Sequence, residues 1–341
     1  MPEITVESLL KITTKALISQ GFEAESAIEI AREFVIADLT GVRTHGVGKL
    51  SSMHFGDLSI KPLLRRQGAI IHCDGLRGNG FKTLQELSNV VSDACPEYGV
   101  AIGLARNFSR FSSLYPYTSK IASHGYVGIL INTAGPAAVA PFGGIDPITG
   151  TNPICFSFPT GNGTSQTFDL ATSEVVWGEI RQASLENRSV RGNAFLNSAG
   201  SETAIPSEVN AVRAFGGSKG WVINLAIEIL AGLLTGAKAG LDVDNEFDCG
   251  AILIAIDPTS AFLDTETFGE AVARLLQDIR QSRPDLTMGE LRCPGDRSRS
   301  AIDVEDRMSE IIIVPSTSID LLIRMGDRQK TSEFAENPRF N

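Results

Sequence analysis

The chain has 341 residues, 43% of them hydrophobic and 21% charged, enough to build two domains and bury a core without disulfide staples. Its net charge of −10 argues against nucleic acid or an anionic membrane surface as a partner, because phosphate binding favours a basic surface. Five scattered cysteines with no CxxC pair read as reduced thiols of a cytoplasmic protein, with no metal site in view.

The first residues show neither a basic nor an apolar leader region, so no signal peptide is expected. Apolar residues at helical spacing predict a helix over Val6–Gln20, with Leu9, Leu10, Ile12, Leu17 and Ile18 near one face. A second is predicted over Ala24–Leu39, with Ala27, Ile28, Ala31, Val35 and Ile36 inward. A loop through Gly41 and Gly46 follows, then a shorter helical piece from Gly48 to Leu58. Strands are predicted at Ala69–Asp74, Val100–Ala105 and Tyr126–Asn132, with helices Phe81–Tyr98 and Leu114–His124 between them. The Gly/Pro-rich stretch Gly135–Pro153 is a long loop of the kind that carries function.

Ile154–Phe158 and Gln166–Leu170 read as strands, and Glu186–Pro206 as a polar surface excursion. A helix is predicted over Ser218–Ala237 with Ser218 as its N-cap. Its apolar stretch Trp221–Leu234 is interrupted by Asn224 and Glu228 and is too short to span a bilayer. A strand at Ala251–Ile256, a helix at Thr265–Ser282 and a turn at Pro294–Asp296 come next. From Ile302 the tail reads as helical, with an apolar run at Ile311–Val314, and is expected to fold back on the N-terminal helices. No G-x-G-x-x-G follows a strand and there is no P-loop, so a doubly wound nucleotide fold is set aside.

Chemistry concentrates between Asp38 and Lys49, where an acid, an imidazole and two cations crowd among glycines at a helix break. His45 is one of four histidines. An imidazole titrating near neutrality beside fixed positive charge suits protonation of a bound keto or imino acid; on this segment alone, a helix-capping His is the alternative. Asp38 either orients that ring or is a solvated carboxylate. Ser218, Lys219 and Gly220 open a long helix, so free amides, the positive dipole end and a lysine form an anion site fit for pyrophosphate or a 2′-phosphate.

Four segments belong together by order and spacing. They are Asp38, Gly41, Thr44, His45, Gly46 and Lys49; Ala140–Gly144 with Gly150–Pro153; Phe168–Ser173; and Gly217–Gly220 opening the helix to Ala237, with Pro294–Asp296 downstream. Taken together they resemble the type-2 malate/L-lactate dehydrogenase family, which also holds sulfolactate, ureidoglycolate and diketogulonate dehydrogenases and cyclic ketimine reductases. The resemblance implies an α+β, non-Rossmann nicotinamide-binding fold. In it a small helical domain from both chain ends (1–68 plus 302–341) packs on a mixed α/β cofactor and catalytic domain (69–301), usually in a homodimer. It also implies NAD or NADP as cofactor and a small 2-oxo acid or cyclic 2-imino acid as substrate.

By the same resemblance His45 is the proton donor, and Thr44 and Lys49 bind substrate. Lys49 stands where the family commonly has Arg, so a carboxylate would lose a bidentate partner. Arg110 stands where the family usually has a second histidine; it cannot release a proton at working pH and is assigned to the substrate carboxylate in compensation. The cofactor is assigned to Thr151, Asn152, Phe168, Asp169, Leu170, Ala171, Thr172, Ser173, Ser218, Lys219, Gly220, Gly295 and Asp296. Thr151 and Asn152 either face the nicotinamide amide or close a loop, and Asp169 is either the cofactor-side acid or a turn cap. Arg181, Arg188 and Arg191 each either reach a 2′-phosphate or are solvated surface charge. Leu114, Tyr115 and Pro116 are similar to a stretch of the ketimine reductase branch, which reduces C=N rather than C=O. The two departures leave a second reading, a catalytically lapsed binding protein, against which the intact cofactor segments count.

Overall fold

The computed structural model describes residues 3–133, 135–161, 163–261, 263–285, 287, 290–296 and 304–327. In chain order its elements begin with β1 (Glu3–Thr5), α1 (Val6–Ser19) and α2 (Ala24–Leu39). Then come β2 (Leu63–Gln67), β3 (Ile70–Gly78), α3 (Gly80–Tyr98), β4 (Val100–Phe108), α4 (Tyr115–Ser123) and β5 (Val127–Asn132). They continue through β6 (Ile154–Pro159), β7 (Ser165–Leu170), α5 (Gly178–Leu185), β8 (Phe195–Leu196) and β9 (Ala211–Val212). Last are α6 (Ser218–Ile227), β10 (Gly250–Ile256), α7 (Thr265–Arg280), β11 (Ile311–Ile313) and α8 (Ser316–Asp327).

Helix starts follow their capping chemistry. The Thr5 hydroxyl accepts the Ser8 amide at 3.2 Å, Asn79 accepts the Lys82 amide at 2.9 Å, and Asp264 accepts the Thr267 amide at 2.9 Å. Seven strands form one mixed sheet in the order β2-β3-β4-β10-β5-β6-β7. β3 and β4 run parallel and the other neighbouring pairs run antiparallel. The central strand β10 is almost wholly apolar, as burial between two neighbours and two covering layers requires.

The chain ends meet: β1 pairs antiparallel with β11, and α8 packs on α1. One buried cluster is continuous from Leu9, Leu17 and Phe34 of the helical ends to Leu84, Leu130 and Leu253 of the sheet layer. Among the described residues no helix is long and apolar enough to cross a membrane.

Several expectations need correction. Gly48–Leu58 is not a helix; a 3-10 turn over Val47–Ser52 ends there and the chain runs extended, freeing Phe55 to pack on Phe22 and Phe81. Ser218 is the first helical residue and Gly217 the N-cap, with no side-chain cap bond. Beyond Ile227 that helix continues as a π-helical stretch, Glu228–Leu234. Much of its apolar face is open, with Val222, Leu233 and Leu234 each more than 60% exposed. The 186–206 segment is no mere excursion, since Phe195 is fully buried in a satellite core with Ile180 and Val212. The apolar run at Ile311–Ile313 is a strand, and β1 and β2 were unanticipated. Residues 302–303 and 328–341 of the expected helical tail lie outside the described residues.

Candidate active site

The site is built where α2 stops. Asp38, in the last turn of α2, turns its carboxylate onto the following segment, and Oδ2 accepts the Val47 amide at 2.8 Å. A methyl group on Gly46 would stand 2.1 Å from Asp38 Oδ1, so only glycine lets the loop lie this close. Burial pushes the Asp38 carboxyl up to about 6, against the opposing pull of the Val47 amide and Arg43. Asp38 is thus a loop clamp, neither a solvated acid nor the partner of the ring.

That clamp sets a 3-10 turn over Arg43–His45. His45 is half-buried, and its Nδ1 lies 3.1 Å from the Thr44 hydroxyl. Thr44 packs in turn against Gly178 at the start of α5. The expectation of an imidazole titrating near neutrality is overturned for the ligand-free protein. The Lys49 charge, with burial behind it, drives the His45 ring down to about 3, so it is neutral at physiological pH.

Lys49 sits in a mixed field. Burial and the Arg110 guanidinium lower it to about 8, while Glu33 and Asp169 pull the other way. Glu33, on α2, is only 4% exposed; its Oε1 accepts the Ser113 amide at 2.6 Å, and burial raises its carboxyl to about 7. Asp169, near the end of β7, binds the start of α4: its Oδ2 accepts the Leu114 amide at 2.9 Å and the Tyr115 amide at 3.0 Å. Asp169 is exposed as a residue, yet protein crowds its carboxyl enough that burial raises it to about 6. Arg110 follows β4, with its guanidinium against Gly135, where an added methyl would lie 3.1 Å away. Lys49 therefore lies in the electrostatic field of His45, Arg110, Glu33 and Asp169. Glu33 escaped the sequence reading; its signal is an acid set among Ile30, Phe34 and Ala37 in the buried stripe of α2.

The expected cofactor residues divide into two groups. Ser218 and Lys219 stand exposed at the start of α6, and Phe168, Asp169, Leu170 and Ala171 are open or half-open. Gly220 is pressed on the Phe215 carbonyl, which an added methyl would meet at 1.8 Å. Asn152, in contrast, is fully buried. Its amide donates to Glu228 Oε2 at 2.5 Å and to the Asn224 carbonyl at 3.2 Å, while the Thr172 hydroxyl donates to the Asn152 and Thr151 carbonyls. These side chains lock the long loop to α6.

Gly295 seats its turn on β7, where a methyl would come within 2.1 Å of the Thr167 carbonyl. The Asp296 carboxylate is taken up by Arg280, at 2.5 Å, and by the Cys293 amide, at 3.0 Å. Asp296 also accepts the Gln166 side-chain amide of β7 at 3.3 Å, so its carboxylate ties the turn to that strand. Arg188 pairs with Glu179 and Glu186, and Arg191 with Glu174, so these cations serve the surface around α5.

A family model described as malate/L-lactate dehydrogenase matches residues 4–322. The chain is 30% identical over 293 residues to the L-sulfolactate dehydrogenase of Methanocaldococcus jannaschii, covering 82% of this chain and 84% of that protein. It is 28% identical over 312 residues to the Delta(1)-pyrroline-2-carboxylate/Delta(1)-piperideine-2-carboxylate reductase of Pseudomonas syringae pv. tomato, covering 86% and 88%. The fold matches that of the malate dehydrogenase from Entamoeba histolytica with a TM-score of 0.85 at 20% identity, covering 95% and 97%. The chain belongs to the malate/L-lactate dehydrogenase family and is an enzyme of that dehydrogenase type.

Proposed function

We propose that the chain reduces C2 of a small 2-oxo acid or cyclic 2-imino acid with NADH or NADPH, and that His45 delivers the proton. The observation that carries this reading is that Lys49 stands within electrostatic reach of both His45 and Arg110. A point-charge ammonium and a planar guanidinium in one electrostatic neighbourhood suit an acid substrate, the second supplying the fork the first lacks.

The residues present fit a nicotinamide dinucleotide. The buried Ser173 hydroxyl has no hydrogen-bond partner among the described residues, and the α6 start, with Ser218 and Lys219, opens to solvent. Thr151, Phe168–Ser173 and Ser218–Gly220 would hold the cofactor, which supplies hydride to the substrate's C2. The mixed sheet without a glycine fingerprint supports a site of non-Rossmann type. The open apolar face of α6 and its π-helical extension supports a homodimer. The β1–β11 pairing supports a helical unit of the two chain ends laid on the 69–301 body.

The proton follows from charge. Lys49 and burial keep His45 neutral. A carboxylate on Lys49 and Arg110 cancels that field and restores the ring's affinity for a proton, so protonation accompanies substrate binding. The imidazolium then neutralises the charge developing on the substrate oxygen or nitrogen.

The test is NADH and NADPH oxidation with pyruvate, oxaloacetate and piperideine-2-carboxylate. Turnover of at least one is expected, and preference for the ring acid assigns C=N over C=O. Tight cofactor binding with no turnover of any of the three would contradict the proposal.

A further inference from the structure

We infer, on the foregoing assignment of the cofactor to this cleft, that Asn224 of α6 is a positioning residue, which sets the spacing of the three segments that receive the dinucleotide. Those segments are the loop at Thr151, the chain after β7 at Thr172 and Ser173, and the amino end of α6. The buried residues of α6 are Gly220, Asn224 and Ile227, so Asn224 brings an amide into an otherwise apolar inner face. Asparagine is a poor helix former because its side chain competes for backbone groups, so the helix alone gives no reason for it.

The reason lies across the helix. Asn224 is fully buried, with both amide protons and the oxygen engaged. Nδ2 donates to the Gly150 carbonyl at 2.9 Å and to the Thr172 hydroxyl at 2.8 Å, while Oδ1 accepts the Thr149 hydroxyl at 2.6 Å. A carbonyl can only accept, so Gly150 fixes which side of the amide carries nitrogen. The Thr172 hydroxyl, receiving a proton from Asn224, gives its own to the carbonyls of Asn152, at 2.8 Å, and Thr151, at 3.1 Å. Each of these protons then has one direction, and a satisfied buried network of this kind specifies one arrangement of the backbone it joins.

Thr172 is where the three segments meet. Its backbone amide donates to the Thr151 carbonyl and its carbonyl accepts the Phe215 amide, both at 3.0 Å. The Phe215 carbonyl is in turn the group on which Gly220 is pressed at the opening of α6. Asn224 closes this circuit from the helix side, so α6 cannot slide along its axis without breaking the bonds to Gly150 and Thr172 together. Next to Thr172, the buried Ser173 hydroxyl meets no partner among the described residues. A buried hydroxyl left unmatched is costly unless a ligand takes it up, and Asn224 holds the residue that precedes it.

NADH and NADPH are titrated onto the protein by cofactor fluorescence, well below every thermal midpoint, and the midpoints are measured on the same samples. Asn224→Ala removes both donors, and affinity for the better-bound cofactor should fall about tenfold, roughly the contribution of one buried hydrogen bond. Thr149→Val removes only the hydroxyl that Asn224 accepts and should weaken binding about threefold; it decides the matter if Asn224→Ala fails to fold. Leu17→Ala, in the buried face of α1, loosens the fold at the chain ends instead. Its midpoint should drop while its cofactor affinity stays within about twofold of the unaltered protein, a split that a merely structural role for Asn224 would not produce. Unchanged affinity in Asn224→Ala, or in Thr149→Val where the alanine variant does not fold, would overturn the inference. So would a loss of affinity in Leu17→Ala as large as that in Asn224→Ala. If the unaltered protein bound neither cofactor, the assignment of the cleft to a dinucleotide would itself fail.

Discussion

Asp38 and Gly46 are in the closest approach on which the loop depends: Oδ1 of the acid occupies the space, 2.1 Å away, where a side chain on residue 46 would begin. Gly46→Ala should force the 43–49 segment off Asp38. Overpacking of this kind costs about 1–3 kcal/mol. Because His45 and Lys49 flank the contact, turnover should fall more steeply than thermal stability. Calorimetry and kinetics on the same variant check it, and a turnover loss no larger than the loss of folded protein would refute it.

The buried lock of the long loop makes a separate prediction. Asn152→Ala takes the amide donor from the buried Glu228 Oε2 and leaves that carboxylate, among the described residues, only the Gly240 amide on Oε1. An unsatisfied buried polar group costs about 1–3 kcal/mol. Thermal unfolding should drop by about 1.5–4 °C, taking about 2.1 cal/mol/K of unfolding entropy per residue. A midpoint within a degree of the unaltered protein would mean that Asn152 bears no such load.

Part of this was legible along the chain. Helical spacing predicts α2 to its observed limits, Ala24–Leu39, because a long amphipathic stripe ends at a glycine-rich break. The crowding of His45, Lys49 and Gly46 was readable from adjacency alone. What stayed hidden depends on residues distant in the chain. Glu33 meets Ser113 and Asp169 meets Leu114 only after α2, β7 and α4 have packed, and no local pattern contains those meetings. Asn152 and Asp296 sit within recognisable motifs, yet a motif does not say which way a side chain points. The apolar positions of α6 announce a helix without saying whether this chain covers them.

The neutral state of His45 has a consequence for acid stability. The unfolded chain takes up a proton on His45 near 6.5, the folded protein only near 3. The contribution of this group to stability is therefore complete above pH 6.5 and is lost steadily as pH falls toward 3. His45→Gln removes that loss, so its thermal midpoint should decline less than that of the unaltered protein between pH 7 and pH 4. Parallel decline in the two proteins would show that the fold does not hold the imidazole neutral.

The central claim, that His45 hands a proton to an acid substrate held by Lys49 and Arg110, is tested most directly by His45→Ala measured two ways. Steady-state turnover with an accepted 2-oxo or 2-imino acid should fall by about 10²–10⁴-fold. Affinity for NADH or NADPH, followed by fluorescence titration, should stay nearly intact. Turnover and cofactor affinity lost together, or turnover retained, would contradict the account.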